Sequence, residues 1–446
     1  MEKCKASNQK TCFVTFDQPL YAKAQEIVAN NPKFTNVIVR LGGFHLLMSF
    51  LGGIGYIMGG SGLKDIFSTI YAENSVEKML AGHAYARAIR AHILCHLALA
   101  HVILESLEFT DEDRDVMKQL LGNLDRSTIL RADENEAFRD VTTKFKEALA
   151  KLENNGPTAK LWIQYFQMVT LVKHFIEAER MGNWQLHLNT VQRMLPYFHA
   201  SGHFLYAKCA HLYLQSMFDL ELKMDPVEYK KFTTESFFTI RRTDKCWSGI
   251  WSDMTIEQTL MRMMHSSGGL TRGRGISDSV LAHWTLGISL HNVCEAFENY
   301  CDVHLDTSEQ HVDARASRIS RDDQDLNKLL HWFSQHPPFP EINSLFCIST
   351  GLVGDSTINC HLSRKMGLKG LNQMVTTYEN FEAIKFKRKD KVIPLLAVNS
   401  SIKVGEETIC LNPLMLFQRM CIAKKSEDEI KDYLKYELAP FPLSFF

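Results

Sequence analysis

The chain has 446 residues, of which 45% are hydrophobic and 23% charged, with a formal net charge of −1. That length exceeds what one hydrophobic core usually serves, so two or more structural units are expected. The near-zero charge excludes a surface that is basic overall, and leaves only a local basic groove for nucleic acid. The 11 cysteines are scattered with no C-x-x-C pair, which excludes a zinc ribbon and a fully paired disulfide framework.

A reducing, intracellular setting (nucleus or cytoplasm) is therefore expected. The opening "MEKCKASNQK" lacks the apolar core of a secretory signal. Next, "TCFVTFDQPLYAKAQEIV" holds a β-prone run, Cys12 to Phe16, that ends in Asp17. Leu20, Ala24 and Ile27 follow at helical spacing. "NNPKFTNVIVRL" then turns into a second run, Val37 to Leu41. Strand, helix and strand make the βαβ unit of a parallel sheet, and both runs are continuously apolar, as buried parallel strands are. Sites form just past the carboxyl ends of such strands. Asp17 stands there on the first, and Gly42-Gly43-Phe44-His45 on the second.

"RLGGFHLLMSFLGGIGYIMGGSGL", Arg40 to Leu63, admits three readings. A membrane span needs about 20 mostly apolar residues, and glycines interrupt this one throughout. A phosphate loop would lie directly between strand and helix, but "FHLLMSFL" precedes "GIGYIMG", Gly53 to Gly59. A helix beginning at Phe44 to Phe50 behind the strand, with Phe44, Leu46, Leu47 and Phe50 buried and no membrane contact, fits best.

Helical patterns follow at Val76 to Leu107 and Thr158 to Arg180, the second with Leu161, Tyr165, Met168, Val172, Phe175 and Ile176 on one face. "SGHFLYAKCAHLYLQSMFDLEL" and "DMTIEQTLMRMMHS" read likewise, and "ENNGPT" breaks the helical blocks. His92 and His96, at i and i+4, have the spacing for one zinc ion. Position 93 is Ile rather than the metalloprotease glutamate, so a packed helix is favoured. His199, His203, Cys209 and His211 read the same way, and a zinc shared by the two helices would require them to face each other. Toward the end, "IKFKRKDKVIPLLAV" and "SIKVGEETICL" read as strands, the latter a hairpin near Gly405, and "SEDEIKDYLKYEL" as a helix.

"VTFDQPLYAKAQEIVANNPKFTNVIVRLGGFH" and "WSDMTIEQTLMRMMHSSGGLTRGRG" together resemble the RNase H-like core of Mutator-like transposases. In that family a strand ends in a catalytic aspartate, a motif with a histidine follows, and a large helical insertion precedes a carboxylate on a helix. The resemblance implies Asp17 and Glu257 as catalytic and metal-binding carboxylates; helical spacing adds Asp253, one turn before Glu257 on the same face, as a further candidate ligand. Mg2+ or Mn2+ would be the cofactor, because two-metal phosphodiester transfer needs carboxylates converging on ions about 3.5–4 Å apart. His45 would contact a phosphate or brace the acidic site. Arg272 and Arg274, in a glycine-rich loop, would bind phosphate by forked hydrogen bonds, and Trp247 and Trp251 would stack on bases. Lys385 to Lys391 is a second basic run.

Each of these residues has a plainer reading. Asp17 is a helix cap, Asp253 a first-turn acid, Glu257 an exposed glutamate and His45 a packed histidine. The family's earlier aspartate has no counterpart, since only Glu2 precedes Asp17 as an acid. A fragment of a longer protein, or a remnant that cannot cleave DNA, is the expectation that follows. The whole chain, in phrases such as "GHAYARA", "LPYFHASGHFLYAK", "HPPFP" and "YELAPFPLSFF", also resembles an uncharacterised family of invertebrate proteins associated with mobile elements.

The expected fold is mainly α with a small α/β part: a partial RNase H-like parallel or mixed sheet interrupted by a large helical insertion, plus short C-terminal strands. The expected boundaries are 1–70 for the βαβ part, 71–245 for the insertion, 246–340 for the returning acidic helix, and 341–446 for an α+β end. The expected function is that of a transposon-derived, DNA-binding protein, active or degenerate. The alternative is a non-enzymatic helical scaffold for a protein partner.

Overall fold

The runs Cys12–Phe16 and Val37–Leu41 are rich in β-branched and aromatic side chains and form strands β1 and β2. They pair in parallel, with Cys12 opposite Val37 and Phe16 opposite Leu41. The expected βαβ unit is therefore present. In the computed structural model the described residues are 8–107, 136–241, 247–258, 316–376 and 385–398, with short pieces at 4, 6, 110–111, 113–115, 118, 243, 300, 400–404, 407–411 and 426–434. The fold they make is mainly α with a small α/β part.

Between the strands runs helix α1, Gln18–Asn30. It starts there because the Asp17 side chain accepts the Leu20 N–H and Pro19 favours the first turn. Asn31 ends it, and its own side chain accepts the Lys33 N–H to start the turn into β2. Helix α2, Gly43–Ile57, follows β2 directly. Leu46, Leu47 and Phe50 are buried as expected, but Phe44 is only half-buried. Gly53 and Gly55 lie inside this helix, so "GIGYIMG" is not a phosphate loop. With 15 residues, α2 is also shorter than the roughly 20 that a span needs.

The expected long helix from Val76 to Leu107 is two helices, α3 (Glu73–Leu80) and α4 (Tyr85–Glu105). Gly82 takes φ +81°, and the His83 N–H reaches back to the Lys78 carbonyl, the hydrogen bond that closes a helix in a Schellman end. Among the described residues, α4 is the one helix long and apolar enough to cross a bilayer, and half of its apolar window is buried in protein. Helices α5 (Glu136–Glu153) and α6 (Pro157–Met181) flank the expected break. Then come α7 (Trp184–Ser201), α8 (Phe204–Phe218), α9 (Pro226–Thr233), the short antiparallel pair β3 (Ile240–Arg241) and β4 (Gly249–Ile250), and α10 (Ser252–Ile256). Helices α11 (Ala316–Gln335) and α12 (Ser363–Thr376) precede the hairpin β5 (Ser400–Val404) and β6 (Glu407–Leu411), which pairs as expected, and helix α13 (Glu427–Leu434).

The expected strand in "IKFKRKDKVIPLLAV" is absent from its described residues, 385–398, which form two short 3-10 turns around Pro394. Proline removes a ladder donor. The neighbouring N–H groups find other acceptors, Val392 on the Ala200 carbonyl and Ile393 on Asn359 Oδ1.

The chain divides into two compact units. The first comprises Met1–Phe50, Leu171–Leu195 and His203–Asp323. Its core holds Tyr21, Ile38, Leu41, Phe175, Trp184, Phe232 and Trp251. The second comprises Leu51–Thr170, Pro196–Gly202 and Gln324–Phe446. It is centred on Trp162, which packs edge-on against Tyr165 and Phe333. Here His92 and His96 are packed core histidines. His92 Nδ1 meets the Tyr165 hydroxyl at 2.9 Å, and His96 Nε2 meets Thr170 Oγ1 at 3.0 Å while its ring stacks on Phe166.

Candidate functional site

The carboxyl edge of the parallel strands lies within the first unit. The Gly42 N–H donates to the Phe16 carbonyl at 2.7 Å, carrying the ladder one residue past β2, and α2 begins at the next residue. A helix start leaves N–H groups without intrahelical partners. Here a single carboxylate accepts two of them. The Phe44 N–H donates to Asp253 Oδ1 at 3.2 Å and the His45 N–H to Asp253 Oδ2 at 3.1 Å. Asp253, in the first turn of α10, is only 4% exposed. It caps α2 rather than its own helix.

The same carboxylate holds the His45 ring, with Nδ1 at 3.1 Å from Oδ2. On the other side of the ring, Nε2 lies 3.5 Å from Glu257 Oε1. The imidazole thus stands between two carboxylates. The hydrogen bond to Asp253 holds His45 above its ordinary value against the opposing effect of burial, and the charges of Asp253, Glu257 and Asp17 add to it. A hydroxyl contact, Thr15 Oγ1 to Ser252 Oγ at 2.9 Å, ties β1 to the start of α10.

Two glycines make this closeness possible. A Cβ on Gly42 would collide with the Asp253 carboxylate and one on Gly43 with the Trp251 ring. Gly42→Ala is expected to cost about 1–3 kcal/mol by overpacking and to displace Asp253. The His45 titration midpoint, followed by NMR, should then fall. An unchanged midpoint would show that the carboxylate tolerates the methyl group.

Asp17 acts first as the cap of α1, accepting the Leu20 N–H at 3.4 Å. Its charge still reaches His45 and the Tyr206 phenol. Burial pushes that phenol up, and Asp17 and Asp253 add to the effect.

Behind the edge lies a buried polar cluster. Arg40 donates from Nη1 to the Phe238 carbonyl at 2.5 Å, and its guanidinium lies over the Phe232 and Phe238 rings. Glu179 is 1% exposed and raised to about 7 by burial, with Arg40 as the largest opposing influence. His187 is lowered to about 3 by burial, and its Nε2 meets the Tyr213 hydroxyl at 3.0 Å. Arg40 stood out in the sequence only as a charge flanking an apolar run. Glu179 had a usable signal, because it lies seven residues after Val172 and four after Phe175 and so continues the buried face of α6.

The edge thus brings together His45, Asp253 and Glu257, with Asp17 near enough for its charge to act on His45. Asp253 is occupied by three N–H groups, and His45 holds the space beside Glu257. Among the described residues, no group of three or more His, Cys, Asp or Glu side chains is arranged to hold a metal ion. The Asp253 carboxylate, turned onto these N–H groups, is thus arranged differently from carboxylates converging on a Mg2+ or Mn2+ pair. Trp251 does not fit a base-stacking role. It is 3% exposed and stacks on Phe175, whereas Trp247 is half exposed. Arg272 and Arg274 lie outside the described residues.

The whole of this architecture falls within one known family. The chain belongs to the family of the domain of unknown function DUF8702, which matches residues 1–437. No curated protein matches it, and no solved structure does. The match includes both Gly42–Gly43 and the Asp253 segment.

Proposed function

We propose that the protein is a transposase-derived nucleic-acid-binding protein whose carboxylate edge no longer binds ions and does not cut DNA. The observation that carries this reading is His45, held between Asp253 and Glu257 at the carboxyl edge of a parallel strand pair. A cation-binding carboxylate site has to offset repulsion between its acids. In this reading the imidazole supplies that positive charge. The resemblance of "VTFD" and "GGFH" to the RNase H-like motifs supports the origin, and the arginines of the sequence "GGLTRGRG", Arg272 and Arg274, support phosphate contact that needs no metal.

The test combines DNA binding by fluorescence anisotropy with nicking of supercoiled plasmid in Mg2+ or Mn2+. Binding that weakens steeply between about 50 and 200 mM salt, with no nicking, is the expected result. Nicking lost in Asp17→Ala would overturn the non-cleaving part. No binding at the lower salt would leave the scaffold reading.

A further inference from the structure

A hydroxyl on a helix commonly donates to the carbonyl four residues back. Ser68, Thr143, Thr190, Ser201 and Thr376 all do so, at 2.6–2.9 Å. Ser49, on α2, does not. Its Oγ instead lies 2.7 Å from His203 Nδ1, and both residues belong to the first unit. The chain enters His203 from Gly202, at φ +81°. His203 is the N-cap of α8, yet its ring makes no capping bond. Both side chains are thus turned away from their local backbone. The contacts of His92, His96 and His187 with hydroxyl groups differ, because those three histidines are buried. Ser49 and His203 are both half-buried, so a small molecule in solvent can reach them.

We propose that Ser49 and His203 are a nucleophilic pair, a site at which a neutral activated ester acylates the serine. An alcohol is a weak nucleophile until a neighbouring base takes its proton. With the imidazole proton on Nε2, His203 Nδ1 accepts the Ser49 O–H. The Ser49 oxygen attacks the ester carbonyl carbon as its proton passes to Nδ1. The tetrahedral adduct then breaks its bond to the leaving oxygen, and Nδ1 returns the proton to that oxygen. The products are an acyl-serine and a free alcohol or phenol, with no change of oxidation state. The choice of a neutral donor follows from the surroundings. His45, one turn before Ser49 on the same face of α2, is flanked by Asp253 and Glu257. Those carboxylates would repel an anionic phosphoryl donor but not a neutral ester. The site is independent of any contact with nucleic acid.

The test treats the full chain with p-nitrophenyl acetate and maps acetyl groups by mass spectrometry after trypsin. Ser49 and Ser68 fall in different peptides, which begin "LGGFHLLMSF" and "DIFSTIYAEN". Ser68 is exposed but donates to its own helix, so it reports the unassisted rate. General-base assistance is worth about 10²–10⁴-fold, so Ser49 should be acetylated about 100-fold faster than Ser68 or more. This comparison lies within the parent chain and needs no variant to fold. His203→Gln should lower the Ser49 rate by about 100-fold and leave that of Ser68 unchanged, and Ser49→Ala should abolish the fast site. Ser49 acetylated no faster than Ser68, an equal Ser49 rate in His203→Gln, or acetyl groups held on His45 or His203 rather than on Ser49 would each overturn the proposal.

Discussion

Lowering the pH from 6.5 to 4.5 is expected to cost the second unit about 2 kcal/mol of stability through His92 alone. Burial lowers this histidine from its ordinary 6.5 to about 3. The unfolded chain therefore takes up the proton below 6.5 while the folded one does not. The cost per pH unit is half of about 1.4 kcal/mol at pH 6.5 and approaches that full value further down. The first unit has the same liability at His187, but Glu179 works in the opposite sense. Its folded value of about 7 lies above its ordinary 4.5, so the folded state binds the proton more tightly, and stability falls as the pH rises from 4.5 to 7. Between 4.5 and 6.5 the two slopes offset. Glu179→Gln should uncover the His187 slope, so that the variant loses about 2 kcal/mol more than the parent over that window. Amide hydrogen exchange resolves the two units, because it reads local opening free energies. His92→Asn, which keeps a polar atom for the Tyr165 hydroxyl, should flatten the profile of the second unit. Parallel profiles for parent and variants down to pH 4.5 would mean that these groups are solvated in the folded state.

The parallel pairing of β1 with β2 is legible in the sequence because both runs are short, mostly apolar and separated by one helix length. The α1 cap is legible for a local reason, since Asp17 is followed by Pro19 and an N–H three residues on. What fails is long-range. Asp253 reads as an acid favourable to its own helix, and its real partners lie 208 and 209 residues earlier. No periodicity reports a contact of that kind. The glycines give an indirect hint, because Gly42 and Gly43 together mean that something approaches the backbone closely. The burial of Trp251 is hidden likewise, since its partners Gly43 and Phe175 come from two distant segments. The break at Gly82 is a different failure. A glycine amid apolar residues can be tolerated within a helix, and only the Schellman hydrogen bonds reveal that this one ends it.

Asp253→Ala is expected to destabilise the first unit by about 4 kcal/mol, and Asp17→Ala by about 1 kcal/mol. The Asp253 carboxylate accepts from two backbone N–H groups and from His45 Nδ1. Hydrogen bonds to a charged group contribute about 1.5–3 kcal/mol each. The loss is less than their sum because water can reach the partly exposed histidine. Asp17 makes one capping bond, the ordinary magnitude for which is about 1 kcal/mol. The sign separates the two readings of this edge. Were Asp253 held in place to bind an ion, removing it would relieve repulsion with Glu257 and Asp17, and the metal-free chain would become more stable. A brace predicts the reverse. The histidine provides an independent readout. Its folded value is raised, so the stabilisation it contributes is full below about 6.5 and is lost as the pH climbs through the folded value. Asp253→Ala should remove the largest cause of that elevation, lower the His45 midpoint, and make the loss of stability greatest on the acid side. Chemical denaturation at pH 5.5 and 8, with NMR titration of His45, measures both. A stabilised Asp253→Ala chain with an unmoved midpoint would return this carboxylate to the role of an ion ligand.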